Sequence, residues 1–334
     1  MIKIVTQYKE INKEQWNDLL YHRSAVASFF QSPEAYELYE PFDWAECSVF
    51  AVEEEGKLTG VIVVVLQFEG RGVKKYLTSR AIINGGPLLD DNITEEALRV
   101  LLQTTLKELK GKYNYVETRN YNDYSRWRPA FEAVGFRYQP HYNFHIDTSS
   151  FEEAEQRFSK SRRSEIKSSF KEGAYIDEDM DGLSRFYALL DNIYKTKIHT
   201  PLLPQEFFRY LGQQPYSRIF IIHAPDGQVI GGQVSVYLKG KAGYAWYCCG
   251  KDHDYKKIHP SVMANYSGIK YAAEHGYPRF DMMGAGSPDD GGYGVRDFKA
   301  QFGGELVEHG RFLFLCRPLI YKAAKWALNI KKKL

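Results

Sequence analysis

Two stretches with one layout decide the fold. Ala51-Val52-Glu53-Glu54-Glu55-Gly56-Lys57-Leu58-Thr59-Gly60 runs into Val61-Ile62-Val63-Val64-Val65. Ile221-Ile222-His223-Ala224-Pro225-Asp226-Gly227-Gln228-Val229-Ile230-Gly231 runs into Gly232-Gln233-Val234-Ser235-Val236. Each reads as strand, glycine-containing turn and strand, and in both a further glycine follows the turn glycine by four residues.

The likeness continues downstream. Tyr113-Asn114-Tyr115-Val116-Glu117 leads through a polar loop to Phe131-Glu132-Ala133-Val134-Gly135-Phe136. Arg279-Phe280-Asp281-Met282-Met283 leads through a longer glycine-rich loop to Phe298-Lys299-Ala300-Gln301-Phe302-Gly303. Gly56 and Gly227 lie 171 positions apart, and Gly135 and Gly303 lie 168 apart. Two matches at nearly one offset point to a duplicated domain.

Helical periods lie between these strands. Leu98, Leu101, Leu102, Leu106 and Leu109 fall on one face of a helix over 95–109. A second helix opens at Pro260 and runs to His275, with Gly276 to stop it. Each half is therefore expected to be α/β, with a hairpin, a helix, a strand and a short helix ending in an aromatic residue and glycine. The expected boundaries are 1–148 for the first domain, 149–316 for the second and 317–334 for a basic C-terminal helix.

At 334 residues the chain has room for two domains. Its 44% hydrophobic and 26% charged residues are ordinary for a globular protein, and a net charge of +2 does not by itself indicate nucleic-acid binding. The 25 tyrosines suit a wet, ligand-lined groove and suit plain strands equally well. Cys47, Cys248, Cys249 and Cys316 form no Cys-x-x-Cys pair and share no metal-ligand spacing with the nine histidines. No metal site is expected, and free thiols fit a reducing compartment. The N-terminus has no signal-peptide core, and the longest aliphatic run, Val61 to Leu66, is far too short to span a membrane. Cytoplasm is the expected location.

Four segments are candidates for chemistry. In Ser159 to Lys171, Arg162, Ile166 and Phe170 continue a four-residue spacing that begins at Phe158, with Lys160, Arg163, Lys167 and Lys171 on a neighbouring stripe. Such a stripe can hold phosphates or simply face solvent. Asp281 to Gly304 is a glycine-rich loop after an apolar strand, entering a segment with Lys299 beside core aromatics. It is either a ligand loop, with a cation offered to a developing oxyanion, or a surface loop followed by an amphipathic helix. Gly85-Gly86-Pro87 before Asp90 lines a cleft or is a plain turn, and Gln31-Ser32-Pro33 reads as a helix start. The chain has no Gly-x-Ser-x-Gly elbow, P-loop, dinucleotide fingerprint or metalloprotease helix.

Phe30-Gln31-Ser32-Pro33, Arg80 through Gly85-Gly86-Pro87, Arg162-Arg163 through Lys171-Glu172-Gly173, Phe280-Asp281 and Phe298-Lys299-Ala300-Gln301-Phe302-Gly303 occur in one order. In that order the sequence resembles the Fem-type peptidoglycan-bridge aminoacyltransferases over almost its whole length. It also resembles the broader acetyltransferase-like proteins of polysaccharide loci. The resemblance implies two tandem GNAT-like domains, each a mixed, mostly antiparallel sheet flanked by helices, with the acceptor between them. It implies an aminoacyl-tRNA donor, no bound cofactor, and direct attack of the acceptor amine on the aminoacyl ester.

In that resemblance Lys299 matches the lysine that stabilises the oxyanion, and Asp90 matches an acid near the acceptor. Arg162, Arg163 and Lys167 are the expected contacts to acceptor phosphate, and Tyr247 is expected to line the cleft. Tyr39 stands about where bridge-forming members carry a lysine for the nucleotide diphosphate. The Gln/Arg-x-x-Gly-x-Gly/Ala loop that cradles the pyrophosphate of coenzyme A is missing before Pro260, where the chain reads Tyr255-Lys256-Lys257-Ile258-His259. Coenzyme A is therefore disfavoured. No sustained heptads are present, so no coiled-coil arm is expected.

Arg317 to Leu334, with Lys322, Lys325, Trp326 and Lys331-Lys332-Lys333, either packs on the body or touches an anionic membrane carrying a lipid-linked acceptor. The leading expectation is an acyltransferase that moves an amino acid to an amine of a cell-envelope precursor. The rivals are an N- or O-acyltransferase with a thioester donor acting on a sugar, and a non-catalytic ligand-binding protein.

Overall fold

The computed structural model describes residues 1–178, 180–198, 200–291 and 294–331, with side chains through residue 324. Gly292 and the tail side chains Lys325, Trp326 and Lys331 to Lys333 lie outside the described residues. Fifteen strands are present among them. They are β1 (Ile2–Val5), β2 (Glu46–Glu54), β3 (Lys57–Gln67), β4 (Arg80–Gly85), β5 (Leu88–Leu89), β6 (Tyr115–Asn120), β7 (Arg137–Gln139) and β8 (Tyr142–Asp147). The remainder are β9 (Tyr175–Asp177), β10 (Ser217–His223), β11 (Val229–Leu238), β12 (Ala242–Gly250), β13 (Arg279–Gly284), β14 (Glu305–Glu308) and β15 (Arg311–Leu315).

They form two sheets of one design. The first runs β1-β2-β3-β4-β6-β15-β7, with β5 pairing β3, and the second, taken from its far edge, runs β9-β10-β11-β12-β13-β8-β14. In each, the central pair is parallel, β4 with β6 and β12 with β13. The expected hairpins are β2–β3 and β10–β11, with turn glycines Gly56 and Gly227 at φ +80° and +81°. The duplication inferred from their spacing is present in the backbone.

The glycine four residues after each turn also has a reason. A Cβ at Gly60 would meet Leu101 at 2.9 Å, and one at Gly231 would meet the Cys249 carbonyl at 2.8 Å and Pro260 at 3.1 Å. Each lies where the central helix crosses its sheet. Helix Glu95–Leu109, capped by the Thr94 hydroxyl, buries Ala97, Leu98, Leu101, Leu102, Thr105, Leu106 and Leu109 on one face. Helix Pro260–Glu274 is buried on most sides, because the helices Phe151–Arg157 and Lys160–Lys171 cover what its sheet does not.

The chain divides into a first unit of residues 1–141 and 308–334 and a second of 142–307. This corrects the expected boundaries in two places. β8, expected in the first domain, pairs with β13 in the second sheet; β15, expected in the second, pairs with β6 and β7 in the first. The two sheets thus exchange the strand at their sixth position. Packing explains the destination of β15: Phe312 stacks on Phe131 at 4.1 Å in the first core. Sequence spacing carries no record of such an exchange.

The C-terminal segment Pro318–Lys331 is helical, as expected. No described helix is long and apolar enough to cross a membrane. The cysteines are free thiols, and no group of three or more His, Cys, Asp or Glu among the described residues could hold a metal.

Candidate active site

The two parallel strand pairs differ where it matters. β4 and β6 stay in register over five residues, from Ala81 opposite Val116 to Gly85 opposite Asn120. β12 and β13 pair only at Gly243–Phe280 and Tyr244–Asp281. Beyond these, β12 continues along β11 to Gly250 while β13 follows β8 to Gly284. The second sheet therefore opens between its central strands, and the first does not.

β13 is also distorted at the opening. Asp281 faces His145 and Gly284 faces Asn143, so one extra residue is accommodated between them. This bulge places Met283 at φ +64°, in the left-handed region that a non-glycine residue adopts at a cost of roughly 1–3 kcal/mol. The Asp281 carboxylate holds the distortion in place: Met283 N–H donates to it at 2.7 Å. Asn143 Nδ2 donates to both carboxylate oxygens at 3.1 and 3.3 Å, and His145 Nε2 lies 3.3 Å away. Burial of Asp281 favours its neutral form, but the neighbouring His145, the Arg279 guanidinium and the Met283 amide outweigh it and hold its pKa below the usual carboxylate range.

Lys299 completes the arrangement. Its segment, Gly294–Ala300, follows the glycine-rich loop, which Arg296 pins by donating to the carbonyls of Ala285 at 3.1 Å and Ser287 at 2.6 Å. Lys299 Nζ donates to the carbonyls of Met282 at 2.5 Å, Met283 at 3.3 Å and Gly284 at 2.8 Å. The bulge turns these three carbonyls to one point, and the ammonium occupies it. Burial pulls the pKa of Lys299 down to about 8, while Asp281 and Cys248 act to raise it. The Cys248 thiol, on β12 across the opening, is pushed up to about 12 by burial and is a neutral lining group rather than a nucleophile. A half-desolvated cation beside an opened strand pair is suited to stabilising negative charge on a carbonyl oxygen.

Arg162 belongs to the same unit and supports that lysine. Its guanidinium, 3% exposed, stacks over the rings of Phe298 at 4.5 Å and Phe302 at 4.8 Å and donates to the Phe298 carbonyl at 3.3 Å. It also pairs with Glu165 at 2.6 Å. Arg163 donates to the carbonyls of Gln156 and Phe158 and so caps the preceding helix, while Lys167 stands exposed on the helix surface. Tyr247, on β12 beside Cys248, packs against Phe208 at 5.0 Å and Tyr194 at 6.0 Å.

The two remaining candidates lie in the first unit. Asp90 is 1% exposed and bonded to Arg23, with Asn92 N–H donating to it at 2.8 Å. Tyr39 is 6% exposed, with its ring in the core. The motifs around them are built into that unit. Gln31 bridges β3 and β4 where the strands separate, donating to the carbonyls of Val63 and Asn84 and accepting from Val63 N–H at 2.8 Å. Gly85 and Gly86, at φ +81° and +74°, form a turn closed by the Tyr124 hydroxyl.

Sequence reasoning missed Asn143, His145 and Asp252. Asn143 and His145 are two apart on β8, which puts both on one face, and that spacing was the available signal. Asp252 caps helix Pro260–Glu274: its carboxylate accepts from Ser261 N–H at 2.9 Å and from the Ser261 hydroxyl at 2.5 Å. It precedes the helix by a loop, so no capping pattern marks it in the sequence.

The two sheets of one design are those of a tandem GNAT-like fold. Residues 218–329, about a third of the chain, match the FemAB family. A crystal structure of FemX superposes with a TM-score of 0.70 at 16% identity, covering 96% of this chain and 99% of that one. A tandem GNAT protein from the clavulanic acid biosynthesis pathway gives 0.60 at 10% identity, covering 95% and 99%. The C-terminal domain of a putative lysylphosphatidylglycerol synthetase from Agrobacterium fabrum gives 0.60 at 14% identity, covering 97% of each. At these identities the structural likenesses establish the fold. No curated protein sequence matches the chain.

Proposed function

We propose that the protein transfers an amino acid from aminoacyl-tRNA to an amine of a cell-envelope precursor of the peptidoglycan type. The observation that carries this reading is Lys299, an ammonium held by three carbonyls at the opening between β12 and β13. The acceptor amine attacks the carbonyl carbon of the aminoacyl ester, and negative charge develops on its oxygen, which the Lys299 cation stabilises. The tetrahedral intermediate then collapses. Its carbon–oxygen bond to the tRNA ribose breaks, the amide forms, and the proton lost by the amine goes to the departing hydroxyl. No covalent enzyme intermediate is required, so positioning and charge supply the catalysis.

Asp252 supports a donor other than coenzyme A. The amides at a helix N-terminus are where a diphosphate would bind, and here the Asp252 carboxylate already accepts from Ser261 N–H. A negative charge at that place opposes a second one. The exposed Lys160, Arg163, Lys167 and Lys171 offer a stripe for phosphates of tRNA or of the acceptor. This reading places the protein in the cytoplasm, where charged tRNA is made.

A donor screen tests it. Purified protein is incubated with mixed aminoacyl-tRNAs or with acyl-coenzyme A species, each beside envelope-precursor extract, and product masses are recorded. Transfer from tRNA that vanishes in Lys299→Ala is the expected result. Transfer only from coenzyme A would favour the thioester alternative, with a sugar or polysaccharide precursor as acceptor.

A further inference from the structure

Ten large hydrophobic side chains stand exposed among the described residues, and four of them lie on two touching helices of the first unit. Val73, Tyr76 and Leu77, on helix Gly72–Thr78, are 75%, 49% and 46% exposed. Their spacing of three and four residues puts them on one helical face, yet the helix buries no residue at all. Leu319, in the first turn of helix Pro318–Lys331, is 82% exposed.

The two helices are fixed by one residue. Asn114 is 3% exposed, and its side chain donates to the carbonyls of Tyr76 at 3.1 Å and Leu77 at 2.8 Å. Its own carbonyl accepts from Cys316 N–H and Arg317 N–H, both at 2.9 Å. The Arg317 guanidinium then lies over the Tyr76 ring at 4.2 Å. A buried asparagine that sets the end of one helix and the start of the other makes this a constructed face.

Its charge is predominantly positive. Arg71, Lys74, Lys75, Arg317 and Lys322 lie on or beside the two helices, with Glu69 paired to Lys74 at 3.2 Å and Glu46 to Lys75 at 2.7 Å. Arg71 and Lys322 are both exposed. Protruding aliphatic side chains with a tyrosine, beside lysine and arginine, match the boundary between lipid headgroups and acyl chains. We infer that the face formed by Val73, Tyr76, Leu77 and Leu319 docks on an anionic lipid surface, with the neighbouring cations on the headgroups. The inference stands apart from the choice of acyl donor.

Flotation with vesicles of phosphatidylcholine alone, and of phosphatidylcholine with phosphatidylglycerol, tests it on the full chain. The protein is expected to float with the anionic vesicles only, and to be released by added salt. The double variant Val73→Asp, Leu319→Asp is expected to bind them about tenfold more weakly. Both side chains project into solvent, so the melting temperature of this variant stays that of the parent. Absence of binding, equal binding to both vesicle types, or unchanged binding by the variant would each overturn the inference. So would a concentration-dependent dimer that the same substitutions abolish, since a second copy would then be the occupant. None of these outcomes bears on transfer measured with soluble substrates.

Discussion

The ammonium of Lys299 lies 2.5 Å from the carbonyl oxygen of Met282, seventeen residues upstream, and binds the next two carbonyls as well. Three backbone acceptors converge because β13 bulges there, so the cation and the distortion require each other. Lys299→Ala removes the charge and leaves the carbonyls to water. Transfer is expected to fall by about 10²–10³ in kcat, the loss typical of deleting one oxyanion-stabilising donor. A variant with parental kcat would remove Lys299 from the chemistry.

The same burial fixes a pH response. The proposed mechanism uses the charged lysine, and its pKa is lowered to about 8, so kcat is expected to fall as pH rises through that value. Stability moves the other way. Between about 8 and the ordinary lysine value near 10.4, the unfolded chain binds more protons than the folded one, so unfolding free energy rises with pH across that window. Rate–pH profiles and urea melts at matched pH check the two signs separately, and parallel slopes would refute the assignment.

Asp281 tunes that midpoint. Its negative charge raises the pKa of Lys299, and it bonds the Met283 amide that forms the bulge. Asp281→Asn keeps an acceptor for that amide and discards the charge. The alkaline limb of the kcat profile is expected to move down by about one pH unit. KM should stay near the parental value. A merely structural role for Asp281 would lower stability and leave the midpoint where it was.

How much of this the sequence revealed depends on the kind of pattern involved. The hairpins at Gly56 and Gly227 and the helix over 95–109 were legible, because turn glycines and leucine spacing are local signals. Lys299 was legible as a motif residue, but its three carbonyl partners depend on a bulge that no period encodes. Arg162 fell on the spacing of Phe158, Ile166 and Phe170 and was still eligible as a phosphate contact. Only the packing shows that it lies against Phe298 and Phe302 while Lys167 faces out. The exchange of β8 and β15 was illegible for a similar reason, since pairing with a distant strand leaves no local pattern in the sequence.

Arg162 and Lys167 should therefore separate in experiment. Arg162→Ala deletes the stacking and the Phe298 bond and leaves Glu165 without its partner. It is expected to cost about 3 kcal/mol of stability and to reduce turnover through the lysine it supports. Arg162→Lys should rescue little, because an ammonium lacks the planar face that stacks on the rings. Lys167→Glu should leave stability within about 0.5 kcal/mol. If the stripe binds tRNA, it should weaken donor binding and lower the salt dependence by about one ion. Urea melts and binding titrations at several salt concentrations distinguish these outcomes, and equal effects of the two substitutions would contradict the geometry.

Two glycines offer a test of the backbone alone. Gly276 and Gly303 share a left-handed φ, +73° and +71°, and differ in what surrounds them. A Cβ at Gly276 meets nothing within 4 Å, whereas at Gly303 it would lie 2.1 Å from the Arg157 carbonyl oxygen. Gly276→Ala should therefore cost only the conformational penalty of about 1–2 kcal/mol. Gly303→Ala carries that penalty and a clash with main chain, which no side-chain rotation relieves. The turn must shift, and with it the end of the segment that carries Lys299, four residues before. The expected result is a larger stability loss in Gly303→Ala, together with a fall in kcat that Gly276→Ala does not show. Equal stability losses with unchanged kcat would mean that the close approach at Gly303 relaxes without disturbing Lys299.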